Sequence, residues 1–263
     1  MRNNEASTMP AAYMTLDQYA IKYSDYFKFE RHDGIVTVLM HTRDDSPIFG
    51  PGLLKAWGQL WQDVGNDPAN EVLIFGSVGN AWIKGYDAKA FAKPFKDWSP
   101  DEAYEHYYDG IKVLENLVFG VDIPTIGVLN GPGIRKEIAL MCDITICSED
   151  AVIADGNFTA GSAAGDGMHL VLQELLGAKR AAYAIYNKEQ IDAEMALHLG
   201  LVNEVLPLDK LLDRAQSLAE VIMKQPKAAR RLTHANLQRP WKRRLTEDQG
   251  FGYANQVFTS RLV

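Results

Sequence analysis

The sequence predicts a mixed α/β (α+β) fold with a helical C-terminal layer, and three observations predict it. Strand-like and helix-like segments alternate through the first two thirds of the chain. Helical periodicity takes over in the last third. At 263 residues, 47% of them hydrophobic and 23% charged, the chain can bury one sizeable core, with at most an appended helical piece.

Short runs rich in Val, Ile and Phe read as strands at 27–31, 35–41, 72–77, 125–130, 143–147 and 151–155, because β-branched and aromatic residues suit a pleated surface. Between them, 52–67 places Leu53, Leu54, Trp57, Leu60, Trp61 and Val64 on one helical stripe, which reads as core. Segment 101–120 groups Tyr104, Tyr108, Ile111, Val113, Leu114 and Leu117 along a broad face. Helices are then expected at 166–176, 178–187, 192–199, 208–224, 226–238 and 241–259, interrupted by one strand at 201–207. Pro240 is the expected joint before the last helix. No sharp boundary shows. The organisation expected is an N-terminal extension, partly helical, over 1–26, a core over 27–200 and a helical region over 201–263.

The net charge of −7 argues against nucleic acid or an acidic membrane as partner, since both need basic patches. The basic run at 227–244 reads as a solvated helix face. Cys142 and Cys147 read as small buried hydrophobes on opposite faces, unsuited to a mutual disulfide and fitting a reducing compartment. No stretch reaches the ~18 apolar residues of a membrane span, and the first 22 residues do not resemble a secretory signal. A cytoplasmic protein is expected.

Two glycine-containing loops each join a strand to a helix: GSVGNAWIKGYDAKAF (76–91) and NGPGIRKE (130–137). A helix start leaves its first amides unpaired, so each loop can offer an N–H to one anionic oxygen. Neither loop is a phosphate cradle. In GDGMH (165–169), Asp166 fits either a helix N-cap or a carboxylate orienting His169. Glu137 fits either a helix cap or a buried acid whose pKa burial raises. His41 ends an apolar strand and is a candidate pocket residue. The other histidines, including His106 and His234, show no metal-ligand spacing and read as surface or strand-end groups.

Three segments carry a resemblance to a known family: FGSVGNAWIKGYDAKAF (75–91), IPTIGVLNGPG…KEIALMCDITIC (123–147) and GAKRAAYAIYNKEQIDAEMALHLGLVNEVLP (177–207). Taken in this order they resemble the crotonase (enoyl-CoA hydratase/isomerase) superfamily, over roughly residues 27–259. The resemblance implies a crotonase-like spiral of repeated strand–strand–helix units with a C-terminal helical trimerisation region. It also implies a homo-trimer or dimer of trimers, without metal or cofactor. The oxyanion hole would use the backbone N–H groups of Tyr86 and Ile134 (or its neighbour Gly133), and Glu137 stands at the position of a catalytic glutamate.

Three departures from the hydratase pattern follow. Asn157 matches the second catalytic glutamate, the loop before Glu137 is short and carries Pro132, Arg135 and Lys136, and adjacent acids occupy 42–49 where CoA-binding members carry basic residues. GDGMH is similar instead to the 6-oxocamphor hydrolase type of β-diketone hydrolase, which cleaves a carbon–carbon bond by a retro-Claisen step. On that resemblance Asp166 activates water, with His169 or Glu137 assisting, because Asn157 again replaces the branch's histidine. Phe49, His41, Asn157 and Lys84 would contact a small carbonyl substrate. The alternatives are a hydratase, isomerase or decarboxylase acting on a CoA thioester through Glu137, and an inactive assembly or RNA-binding subunit, which the acidic balance disfavours.

Overall fold

The structure, a computed structural model, describes residues 13–262. Helix α1 (Leu16–Lys22) precedes the antiparallel hairpin of β1 (Phe27–His32) and β2 (Ile35–Met40), which pairs Phe27 with Met40. β3 (Ile48–Phe49), α2 (Pro51–Asn66), β4 (Val72–Ser77), β5 (Gly85–Tyr86), α3 (Pro100–Gly120), β6 (Thr125–Leu129) and α4 (Glu137–Leu140) follow. Next come β7 (Ile144–Ser148), β8 (Val152–Ile153), α5 (Gly156–Thr159), α6 (Met168–Leu176) and α7 (Ala178–Tyr186). The chain then forms β9 (Ile191–Asp192), α8 (Ala193–His198), β10 (Glu204–Leu206), α9 (Leu211–Met223), α10 (Lys227–Leu237), α11 (Arg239–Arg244) and α12 (Gly250–Ser260).

The main sheet has the order β1-β2-β4-β6-β7-β10. Every pairing from β2 onward is parallel. β4 and β6 are buried at every position, as parallel strands covered on both faces must be. On one face the stripe of α2 is at most 2% exposed, and Trp57 and Trp61 pack on Phe75. Burying each such side chain stabilises the fold by about 1.5–3 kcal/mol. The other face is covered by Leu211, Ala215 and Ala219 of α9, packed on Ile35, Ile74, Ile126 and Ile146. Among the described residues no helix is long and apolar enough to cross a membrane.

Several sequence expectations need correction. Tyr104 and Tyr108 are exposed at 63% and 49%, because the α3 stripe that packs is centred on Ile111, Leu114 and Leu117. The helix expected at 241–259 is divided: α11 and α12 flank a π-helical turn at Leu245–Gln249. Pro240 lies in the first turn of α11, where its missing N–H costs nothing. The basic run is not simply solvated. Arg230 is buried and paired with Glu71 at 2.5 Å, Arg231 holds Asp122 at 2.7 Å, and Arg244 holds Glu174 at 2.9 Å. His234 is no surface histidine either: it is 4% exposed.

That histidine belongs to a clasp around Asp143. The carboxylate accepts from Thr125 N (2.8 Å), Thr125 Oγ1 (3.0 Å) and Gln238 Nε2 (3.1 Å), and lies 2.7 Å from His234 Nδ1. The clasp ties the C-terminal helices to the start of β6 and β7. Cys142 and Cys147 are both buried and free, and burial pushes each thiol up to about 12.

Candidate active site

The loops that follow β4 and β6 are stitched to each other. Trp82 N donates to Pro132 O (2.9 Å), Ile134 N to Ile83 O (3.2 Å) and Trp82 Nε1 to Arg135 O (3.0 Å). Gly133 has φ 152°, and a Cβ there would stand 2.6 Å from Ile83 N and O, so glycine alone permits the approach. Two residues on, Arg135 adopts φ 61°, a left-handed conformation that costs a non-glycine residue roughly 1–2 kcal/mol. The turn aims its side chain inward at the start of α4. Gly127 lets α4 settle on β6, since a Cβ there would meet Ala139 O at 2.5 Å.

Arg135, Glu137 and Asp166 form a buried cluster. Arg135 Nη1 donates to Asp166 Oδ2 at 3.2 Å, and Arg135 Nε lies 2.9 Å from Glu137 Oε1. The second pair is close but poorly aligned, so Arg135 Nε and Nη2 and Glu137 Oε1 have no hydrogen-bond partner among the described residues. Burial raises Glu137 to about 8, outweighing the attraction of Arg135. Burial also opposes the charge on Arg135, but Glu137 and Asp166 prevail and hold the guanidinium above its ordinary value. At neutral pH the cluster therefore offers a protonated acid, a fixed cation and a second carboxyl group.

Two adjoining cavities face this cluster, sharing Tyr86, Arg135, Asn157 and Asp166. The first, about 440 Å³, has an aromatic wall of Phe49, Phe91, Phe95, His106 and Tyr253. Phe49 and Phe91 stack at 6.0 Å, Phe91 and Phe95 at 6.1 Å, and the Arg135 guanidinium lies 5.8 Å from the Phe49 ring centre. Burial lowers His106 to about 4, so its ring is neutral, with Nε2 3.2 Å from the Tyr253 hydroxyl. The second cavity, about 370 Å³, is lined by Ile134, Lys136, Glu137, Asp155, Thr159 and Gln190 among others. Burial raises Asp155 to about 6.

The structure thus places Asp166, Asn157 and Tyr86 in the lining of both cavities, Phe49 in that of the first, and Glu137 and Ile134 in that of the second. Asp166 is not the N-cap of α6, a position held by Gly167. The Ile134 N–H is spent on Ile83 O, while its neighbour Gly133, the alternative donor, lines the second cavity. Asn157 Oδ1 accepts from Gln256 Nε2 at 2.8 Å. Three expected residues line neither cavity. The His169 ring packs so close to Gly252 that a Cβ there would lie 2.6 Å from its Nε2. His41 Nε2 donates to Ser24 O at 3.0 Å while its Nδ1 accepts from Asp44 N. Lys84 pairs at the surface with Asp45 at 2.6 Å. The acids of 42–49 are matched by cations at the surface, Asp45 by Lys84 and Asp44 by Lys28 at 2.8 Å. Sequence reasoning missed Arg135, His106 and Tyr253. Only Arg135 left a trace, as a departure in the loop.

Comparison with known proteins places these features in a family. The family model described as enoyl-CoA hydratase/isomerase matches residues 30–261. A putative enoyl-CoA hydratase of Thermus thermophilus is 28% identical over 201 residues, 76% of this chain and 78% of the relative. A hydroxycinnamoyl-CoA hydratase-lyase of Pseudomonas fluorescens is 26% identical over 79% of this chain and 76% of its own. Among solved structures, a β-diketone hydrolase of the cyanobacterium Anabaena sp. PCC 7120, bound to (S)-3-oxocyclohexyl acetic acid, superposes with a TM-score of 0.87 at 32% identity, covering 97% of this chain and 98% of that one. An enoyl-CoA hydratase/isomerase of Mycobacterium paratuberculosis has a TM-score of 0.81 at 21% identity, covering 90% and 94%, a likeness of fold alone.

Proposed function

Because the chain belongs to the enoyl-CoA hydratase/isomerase family, whose relatives include both thioester hydratases and a β-diketone hydrolase, we propose that it hydrolyses a carbon–carbon bond of a cyclic β-diketone. The observation that carries this reading is the buried Arg135–Glu137–Asp166 cluster where two cavities adjoin, the aromatic-walled one reaching Arg135 and Asp166 and the other reaching all three. The Anabaena enzyme, matched along nearly its whole length with a cyclic keto acid bound, supports it.

The diketone ring lies against Phe49, Phe91 and Phe95, with one carbonyl oxygen toward the Tyr86 N–H. The Ile134 N–H being committed, the second donor to that oxygen is the Arg135 guanidinium through Nη2, fixed before substrate arrives. Asp166 takes a proton from water, whose oxygen bonds to the carbonyl carbon. The bond to the central carbon then breaks, leaving an enolate. Glu137, protonated at neutral pH, gives its proton to that carbon. The proton on Asp166 returns to Glu137 through water, and the product is a keto acid.

The test is formation of that keto acid from 1,3-cyclohexanedione and its substituted forms, followed by NMR. The Asp166→Asn variant should lose about 10²–10⁴-fold in kcat. No ring opening by the wild type, or undiminished turnover by the variant, would end this reading. A second reading, hydration of an enoyl-CoA through Glu137, is favoured by the names of the curated relatives. Asn157, unable to exchange a proton at neutral pH, weighs against it, and co-purification of an acyl-CoA would favour it.

A further inference from the structure

We propose that Lys136 is a carbonyl-capturing amine, which condenses with 1,3-dicarbonyl compounds entering the second cavity to form an imine that settles as an enaminone. This goes beyond the hydrolysis described above and does not require it. The residue lines the second cavity and is 4% exposed. Its amine donates to one acceptor, Gly133 O, and no carboxylate of the described residues forms an ion pair with it. The adjacent Glu137 is turned to Arg135. An ammonium so placed has three donors, one acceptor and no counter-charge, an arrangement that disfavours the charged form. Burial accordingly lowers Lys136 to about 8. The other titratable groups facing the cavity are Tyr86, Arg135, Glu137, Asp155 and Asp166. Among them Glu137 opposes the shift, and burial outweighs it.

A neutral, desolvated lysine is a nucleophile toward carbonyl carbon. Its lone pair forms the C–N bond while the carbonyl oxygen takes up a proton. The carbinolamine then loses water, breaking the C–O bond. Loss of the acidic proton between the two carbonyl-derived carbons gives the neutral enaminone, with no oxidant or reductant consumed. Glu137, in the same cavity, is placed to supply the proton that leaves with the oxygen.

The probe is acetylacetone, incubated with the full chain and located by peptide mass mapping. One adduct, of acetylacetone less one water, is expected on Lys136, formed on the order of tenfold or more faster at pH 8 than on any surface lysine, whose neutral fraction there is roughly a hundredfold smaller. The rate should reach half its maximum near pH 8, as the lowered lysine requires. The Lys136→Met variant should lose this adduct and keep the slow surface ones. Lys136 left unmodified while surface lysines react, or modified no faster than they are, overturns the proposal. Hydrolysis is read separately, as keto acid, so the failure of either idea is visible without the other.

Discussion

Replacing Glu137 with Gln puts the buried acid to a quantitative test. In the folded protein this carboxyl titrates at about 8 against an ordinary 4.5. The native state therefore holds a proton across that window which the unfolded chain has released. Stability must fall as pH rises from about 4.5 to about 8 and level off beyond, and the full loss is about 4–5 kcal/mol. Gln has the shape of the protonated acid and never ionises, so Glu137→Gln removes this loss. At pH 5 the two proteins should melt within about 2–3 °C of each other. At pH 9 the variant should melt higher by on the order of 10 °C, since each kcal/mol moves the midpoint of a chain this size by roughly 2–4 °C. Thermal melts followed by circular dichroism from pH 5 to 9 measure the difference, which isolates Glu137 from every other group titrating there. A pH-independent difference, or a variant less stable at pH 9, would refute the reasoning. Wild-type turnover of a diketone should also decline above about pH 8 as the acid loses its proton.

Removing the clasp with Asp143→Ala strands the donors of Thr125, Gln238 and His234 in the interior and should cost about 3 kcal/mol, read by urea unfolding. Gly133→Ala should drive the loops apart, because its Cβ meets Ile83 backbone at 2.6 Å. Far-ultraviolet circular dichroism should remain native while kcat falls at least tenfold.

Much of the fold was legible because it rests on local pattern. The stripe of Leu53, Trp57, Leu60, Trp61 and Val64 is buried as its spacing requires, and the runs rich in Val, Ile and Leu at 72–77 and 125–130 hold the central parallel strands Val72–Ser77 and Thr125–Leu129. Two-residue strands such as Ile48–Phe49 and Gly85–Tyr86 were not legible, since they exist only through pairing with each other. The same limit governs the site. Asp166 and Glu137 stood out as carboxyls in apolar or glycine-rich surroundings. Arg135 acquires its place from a left-handed turn that nothing in IRKE announces. The aromatic wall is assembled from residues as far apart as Phe49 and Tyr253, which no window of sequence holds together. His234 was misread for a related reason: its carboxylate partner lies 91 positions earlier.

The stitching of the two loops by Trp82, Ile83, Pro132 and Ile134 bears on how such a protein can change over time. A shift in either loop drags the other with it, so the oxygen-holding half of the hollow resists piecemeal alteration. The ring-stacked wall is under no such constraint, because Phe91 and Phe95 can be exchanged without disturbing those backbone bonds. New substrates should therefore be acquired from the aromatic side, while the shared chemistry passes unchanged to descendants.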